Sequence, residues 1–144
     1  MKQGLLFFIV YLMLFITGNA QVRTDAEEAF RISSETGKPV LLVFAGSDWC
    51  APCIRFEKKI LNENTFLDFA KTNIVILKAN FPQREKLPKS IQAQNEKLAE
   101  RYNPKGIFPA FVLLRSDQTV LSTLQYDNQT PLEFIEEIKR ILIQ

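Results

Sequence analysis

Histidine is absent from the 144 residues, and this removes more chemistry than any other feature of the composition. Without it there is no Ser–His or Cys–His nucleophile pair, no His-ligated zinc and no His-ligated haem. Cysteine is nearly absent too, with two residues, Cys50 and Cys53. Charge of one sign is also lacking. The 18 basic and 16 acidic side chains leave +2, and no Lys/Arg cluster concentrates it. That field is too weak to hold nucleic acid by phosphate neutralisation, so no nucleic-acid partner is expected. Glycine and proline number 5 and 7, and neither low-complexity stretches, repeats nor linkers interrupt the chain. What is present is ordinary: 47% hydrophobic and 24% charged residues, in a length that suits one domain with a real core. Any catalysis must therefore run on cysteine, carboxylate, lysine, tyrosine or hydroxyl groups.

Residues 1–20 read as a secretory signal. Lys2 precedes Gly4–Ala20, which carries no charge, and Leu5–Ile16 is almost wholly apolar. Thr17-Gly18-Asn19-Ala20-Gln21 then offers small residues where a signal peptidase reads them. The rival is an uncleaved membrane anchor, for which the uncharged stretch lies at the short limit, since roughly 20 residues are usual. Cleavage after Ala20 leaves a domain of residues 21–144, exported to a periplasmic or extracellular compartment where disulfides persist.

Along that domain, helices and strands alternate. Thr24-Asp25-Ala26-Glu27 has the form of a capping box, and Ala26, Ala29, Phe30 and Ser33 follow at helical spacing until Gly37. Val40–Ala45 is continuously apolar, the pattern of a strand covered on both faces. Cys50–Leu61 reads as one helix, Asn62–Lys71 as a second short one, and Ile74–Ala79 as a strand. Phe81–Lys89 is a loop, Ser90–Tyr102 a helix, and Ala110–Arg115 and Thr119–Gln125 an antiparallel hairpin about Ser116-Asp117-Gln118. Thr130-Pro131-Leu132-Glu133 opens a last helix as a capping box with proline at its first position. The order α-β-α-β-α-β-β-α predicts a three-layer α/β domain with a mixed sheet.

One motif carries chemistry, Cys50-Ala51-Pro52-Cys53, between a buried strand and the start of a helix. Two thiols at this spacing can close a small disulfide ring. The helix N-terminus favours the leading thiolate through its unpaired N–H groups and its dipole. Thiolate is the attacking species in disulfide exchange, which casts Cys50 as the nucleophile and Cys53 as the resolving thiol. The leading thiol is expected to be exposed with a depressed pKa, and Cys53 to be shielded. A zinc site lacks two further Cys or His ligands, and a c-type haem site lacks a histidine at Ile54, so no metal is expected. A purely structural disulfide over so short a loop would constrain the unfolded chain little.

The segment Phe44-Ala45-Gly46-Ser47-Asp48-Trp49-Cys50-Ala51-Pro52-Cys53 resembles the active-site strand and turn of the thioredoxin superfamily, in its secreted branch with Gly-Ser-Asp-Trp before the cysteines. Tyr102-Asn103-Pro104-Lys105-Gly106-Ile107-Phe108-Pro109-Ala110-Phe111 resembles the turn and cis-proline that open the family's next strand. The resemblance covers roughly Asp25–Gln144 and implies a thioredoxin-like fold. It also implies a thiol–disulfide oxidoreductase whose redox group is its own Cys50–Cys53 disulfide, with no other cofactor. It places Pro109 in cis against the disulfide, Trp49 beside the nucleophile, and the Ile107–Phe108 backbone along a bound substrate strand. The family commonly carries a buried acid on the strand before the cysteines. Here Val43-Phe44-Ala45 holds none, so the resolving proton goes to water or to Asp48, Glu57 or Lys58.

A proline directly before the second cysteine is associated, within the family, with reducing members. The expected role is reduction or exchange of protein disulfides outside the cytosol, by a monomer re-reduced by a membrane electron-delivery protein. A disulfide oxidase or isomerase, or a binding or chaperone module, is the alternative. Mass spectrometry of exported protein is expected to show a chain starting at Gln21; an intact Met1 would establish the anchor instead.

Overall fold

The computed structural model describes residues 21–144; the signal-peptide reading of residues 1–20 lies outside the described residues. Five strands form one mixed sheet: β1 (Val22–Arg23), β2 (Val40–Ala45), β3 (Val75–Asn80), β4 (Ala110–Leu114) and β5 (Val120–Leu124). Their spatial order is β1-β3-β2-β4-β5, with β1, β3 and β2 mutually parallel, β4 antiparallel to β2, and β5 antiparallel to β4. Five helices cover it: α1 (Ala26–Thr36), α2 (Ala51–Phe56), α3 (Asn64–Asn73), α4 (Lys89–Tyr102) and α5 (Pro131–Leu142). The three-layer α/β expectation therefore stands, and among the described residues no helix is long and apolar enough to cross a membrane.

Strand periodicity divides the core. On one face Leu41, Val43, Ile76, Phe111 and Leu113 meet Phe56, Phe66, Phe134 and Ile138 from α2, α3 and α5. On the other, Val40, Leu42, Phe44, Leu77 and Val112 meet Ala26, Ala29 and Leu98 from α1 and α4. Because side chains alternate across a sheet, a strand covered on both sides must be apolar throughout. That is why β2 showed no alternation, and all six of its residues are buried.

Several local expectations shift. The first cap is Asp25 rather than Thr24: its side chain accepts the Glu28 N–H at 2.9 Å, and Glu27 takes no part. Gly37 ends α1 at φ 72°, a left-handed conformation that glycine adopts without steric cost. Strand β1 escaped the sequence reading because two residues leave no periodic trace. The helix expected over Cys50–Leu61 is two segments, since Glu57–Leu61 is π-helical and Asn62 N–H bonds the Glu57 carbonyl at 3.0 Å. The wide turn inserts one residue, and within it Ile60 and Leu61 are both buried. It also delays the next helix to Asn64. The capping box at Thr130 forms as read, with Thr130 N–H donating to Glu133 at 2.8 Å and Glu133 N–H to Thr130 at 3.3 Å.

The centre of the first face is aromatic. Phe134 is fully buried, its ring 5.2 Å from Phe56, 5.8 Å from Phe111 and 6.0 Å from Phe66 between centroids. Truncation removes buried surface and leaves a cavity that close neighbours cannot fill. Phe134→Ala is expected to cost about 3–5 kcal/mol in urea denaturation. Val120→Thr, on an exposed strand position, should stay within about 0.5 kcal/mol.

Candidate active site

Strand β2 ends at Ala45, the chain turns through Gly46–Trp49, and Cys50 becomes the N-cap of α2. Cys50 and Cys53 form a disulfide with S–S 2.10 Å and Cα–Cα 5.2 Å. The Cys50 sulfur also accepts the Cys53 N–H at 3.3 Å, a donor that the start of the helix leaves without an intrahelical partner. Pro52, inside the first turn, has no N–H to leave unpaired. The contrast expected between an exposed Cys50 and a shielded Cys53 does not hold in the disulfide form: their exposures are 5% and 3%. Ala45 and Phe108 pack on the cysteine pair, and the leading residue is buried along with Cys53.

Of the remaining expected residues, Phe108 packs on this pair. The Phe108–Pro109 peptide is cis. Phe108 stands edge-on to Trp49 and to Phe81, at 5.4 Å in each case. Trp49 is no core aromatic: it is 41% exposed, and its indole N–H donates to the Phe81 carbonyl at 2.7 Å. The indole lies directly on Gly46, where a Cβ would come within 2.3 Å of the ring. No larger residue at 46 leaves this tryptophan in place. Ile107 departs from expectation. Its N–H and carbonyl are both bonded to the Asn103 side chain, at 3.1 and 2.8 Å, so the docking edge expected at Ile107–Phe108 is reduced to Phe108 at most.

Asp48 is not a free carboxylate. One oxygen accepts the Gln83 N–H at 2.9 Å, and the other those of Arg84 and Glu85 at 2.7 and 3.2 Å. The Gln83 amide, with the two that follow, holds its pKa below the ordinary carboxylate value. This side chain ties the 81–88 loop to the cysteine turn. Asn80 repeats the tie from beneath: its side chain accepts the Ser47 N–H at 3.0 Å and donates to the Ser47 hydroxyl at 2.8 Å. Buried Asn95 donates in turn to the Asn80 carbonyl at 2.9 Å. Sequence reasoning missed Asn80, Asn95 and Asn103. The available signal was an asparagine at an otherwise apolar position, at the end of β3, on the inner face of α4 and at the α4 terminus.

Of the other proton-acceptor candidates, Lys58 is exposed, and Glu57 is ion-paired to Lys78 of β3 at 2.7 Å.

The family model described as thioredoxin-like matches residues 21–116. The chain belongs to the thioredoxin-like family. Among curated proteins it is 29% identical to the disulfide bond reductase DsbH of Chlamydia pneumoniae over 80% of this chain and 69% of that protein. It is 25% identical to the thioredoxin-related protein DsbJ of the same organism, over 74% of this chain and 30% of the relative. A solved structure of a DsbH oxidoreductase superposes with a TM-score of 0.81 at 26% identity, over 90% of this chain and 89% of the other. A thioredoxin-like fold that places a Cys-x-x-Cys disulfide at a helix start makes this chain a thiol–disulfide oxidoreductase.

The Asp48 clamp gives a pH signature. A carboxylate whose folded pKa lies below its unfolded value adds stability above the unfolded value and loses it as pH falls through the folded one. Asp48→Asn is therefore expected to lower stability most near neutrality, and the gap from wild type should narrow steadily below about pH 4. Urea midpoints across pH 2–7 test this; a gap independent of pH would mean that the ionised form makes no special contribution.

Proposed function

We propose that the domain is exported and reduces or exchanges disulfides of protein substrates, acting as a monomer that a membrane electron-delivery protein re-reduces. The observation that carries this reading is the Cys50 sulfur capping α2, with one backbone N–H upon it and no cationic side chain bonded to it. Reducing power falls as the leading thiolate gains stability, because a stable dithiol form is hard to oxidise. The chain has no histidine to supply a positive charge between the cysteines, where Ala51 and Pro52 stand. Basic residues Arg55, Lys58 and Lys59 lie further along the helix with exposed side chains.

The step balances simply. The Cys50 thiolate attacks one sulfur of the substrate disulfide, and the other leaves as a thiolate that takes up a proton. The Cys53 thiol then loses its proton and attacks the Cys50 sulfur, the internal disulfide forms, and the second substrate thiol departs. Two electrons pass from the cysteine pair to the substrate. Phe108 packs on the cysteines with Trp49 edge-on to it, and these two with Pro109 would form the surface on which a substrate strand rests. Main-chain pairing there would select an extended shape over a particular sequence. Similarity to a disulfide bond reductase supports the direction of transfer.

Insulin reduction by dithiothreitol tests the reading. Wild type is expected to accelerate it, and Cys50→Ser to abolish the acceleration. Cys53→Ser should stall as a covalent mixed disulfide with the substrate. Unimpaired activity of Cys50→Ser would instead mark a binding module whose disulfide is incidental.

A further inference from the structure

The resolving step needs a proton acceptor, and the fold withholds the nearest ones. Strand β2 beneath the cysteines carries no ionisable group, and its residues are at most 4% exposed. Asp48 has both oxygens bonded to loop amides. Lys58 points into solvent.

Glu57 is placed differently. It lies four residues after Cys53, one helical turn on, and its own N–H bonds the Cys53 carbonyl. Residues so spaced share a helix face. Its carboxylate crosses to the Lys78 ammonium at 2.7 Å, and the two side chains are 37% and 11% exposed. Of the four ion pairs among the described residues, this one has the most buried cation. Lys78 is in register with Val43, and Asn80, two residues on, with Ala45, the residue that packs against both cysteines. Glu57 thus lies one helical turn beyond Cys53, and its Lys78 partner stands on β3 two register positions back from the residue opposite Ala45, with one end of Glu57 open to water.

We propose that Glu57, positioned by Lys78, takes the proton that Cys53 gives up when it attacks the mixed disulfide, and returns it when the internal disulfide is reduced. The Cys53 S–H bond breaks, its proton passes to the carboxylate, and its electron pair forms the bond to the Cys50 sulfur. The Cys50–substrate bond breaks in the same step, and the substrate thiolate carries away the electron pair. Glu57 then loses the proton to solvent through its exposed side. The other charged or titratable groups nearby are Arg55, Lys58 and Lys59 on the same helical stretch, Asp48 before it, and Tyr126, whose ring packs on Phe56. Glu85 lines the cleft at the edge of β3 that Lys78 also borders. Strands β2 and β4 bring none, and α3 and α5 face this core with Phe66, Ala70, Phe134 and Ile138.

This inference rests on the exchange reading, and one experiment separates the two. Reduced protein mixed with Ellman's reagent releases one coloured thiolate when Cys50 attacks and a second when Cys53 resolves. In Glu57→Gln the first release should keep its rate while the second slows about 10-fold or more near pH 7. The deficit should close as pH rises past the ordinary thiol range of about 8.5. Lys58→Gln should follow wild type throughout. Glu57→Gln leaves the Lys78 ammonium unpaired, so Glu57→Gln/Lys78→Gln serves as the structural control. Under the proposal it resolves as slowly as Glu57→Gln, and Glu57→Asp recovers much of the rate. A second release that follows wild type at every pH in Glu57→Gln, or a normal rate restored in the double variant, would overturn the proposal. A wild type that never releases the second equivalent would overturn the exchange reading instead.

Discussion

The active site depends on one constraint, the burial of β2 on both faces of the sheet. A strand packed by helices from both sides and paired on both edges cannot shift along its axis without exposing apolar side chains on each face. Its last residue, Ala45, is therefore a fixed point, and the cysteine turn starts from it. The sulfurs inherit that position. Cys50 caps α2, and the phenylalanines beneath α2 hold the helix on the sheet.

Polar side chains then brace the turn from three directions. Asp48 holds the loop after β3, Asn80 holds Ser47 from below, and Asn103 fixes the segment that carries Phe108 and Pro109. Each bond joins chain segments that a flexible turn would leave free to move. The aromatic sequence Trp49–Phe108–Phe81 lies across the joints, so the wall of the cleft is built from three separate parts of the chain. Loss of one brace is expected to loosen the wall before it unfolds the domain.

The parts of this arrangement legible in the sequence are those with local or periodic signatures. Val40–Ala45 announced a doubly covered strand by lacking alternation, Thr130 and Glu133 declared a helix start, and Cys50 and Cys53 declared the chemistry. Long-range polar bonds have no such trace. Nothing in the sequence marks Asp48 as a loop clamp, because its partners are backbone amides 35 to 37 residues away, which no side-chain pattern encodes. The Thr24 box failed because two adjacent residues can both cap, and tertiary context chose Asp25. The π-helical turn left no trace in the sequence, because the adjacent apolar pair Ile60-Leu61 suits a regular helix equally well, as the buried pair Phe134-Ile135 of α5 shows. Glu57 and Lys78 are 21 residues apart on different elements, and only the fold brings them together.

The account turns on how weakly the Cys50 thiolate is stabilised, since the redox direction follows from that quantity. The equilibrium reduction potential of the Cys50–Cys53 pair measures it directly, and fluorescence of Trp49, the one tryptophan, provides the signal during titration against a glutathione or dithiothreitol couple. A capped thiolate without a neighbouring cation predicts a potential of about −200 mV or lower, in the range of cellular reductants. A value near −120 mV, that of a strong oxidant, would contradict the account.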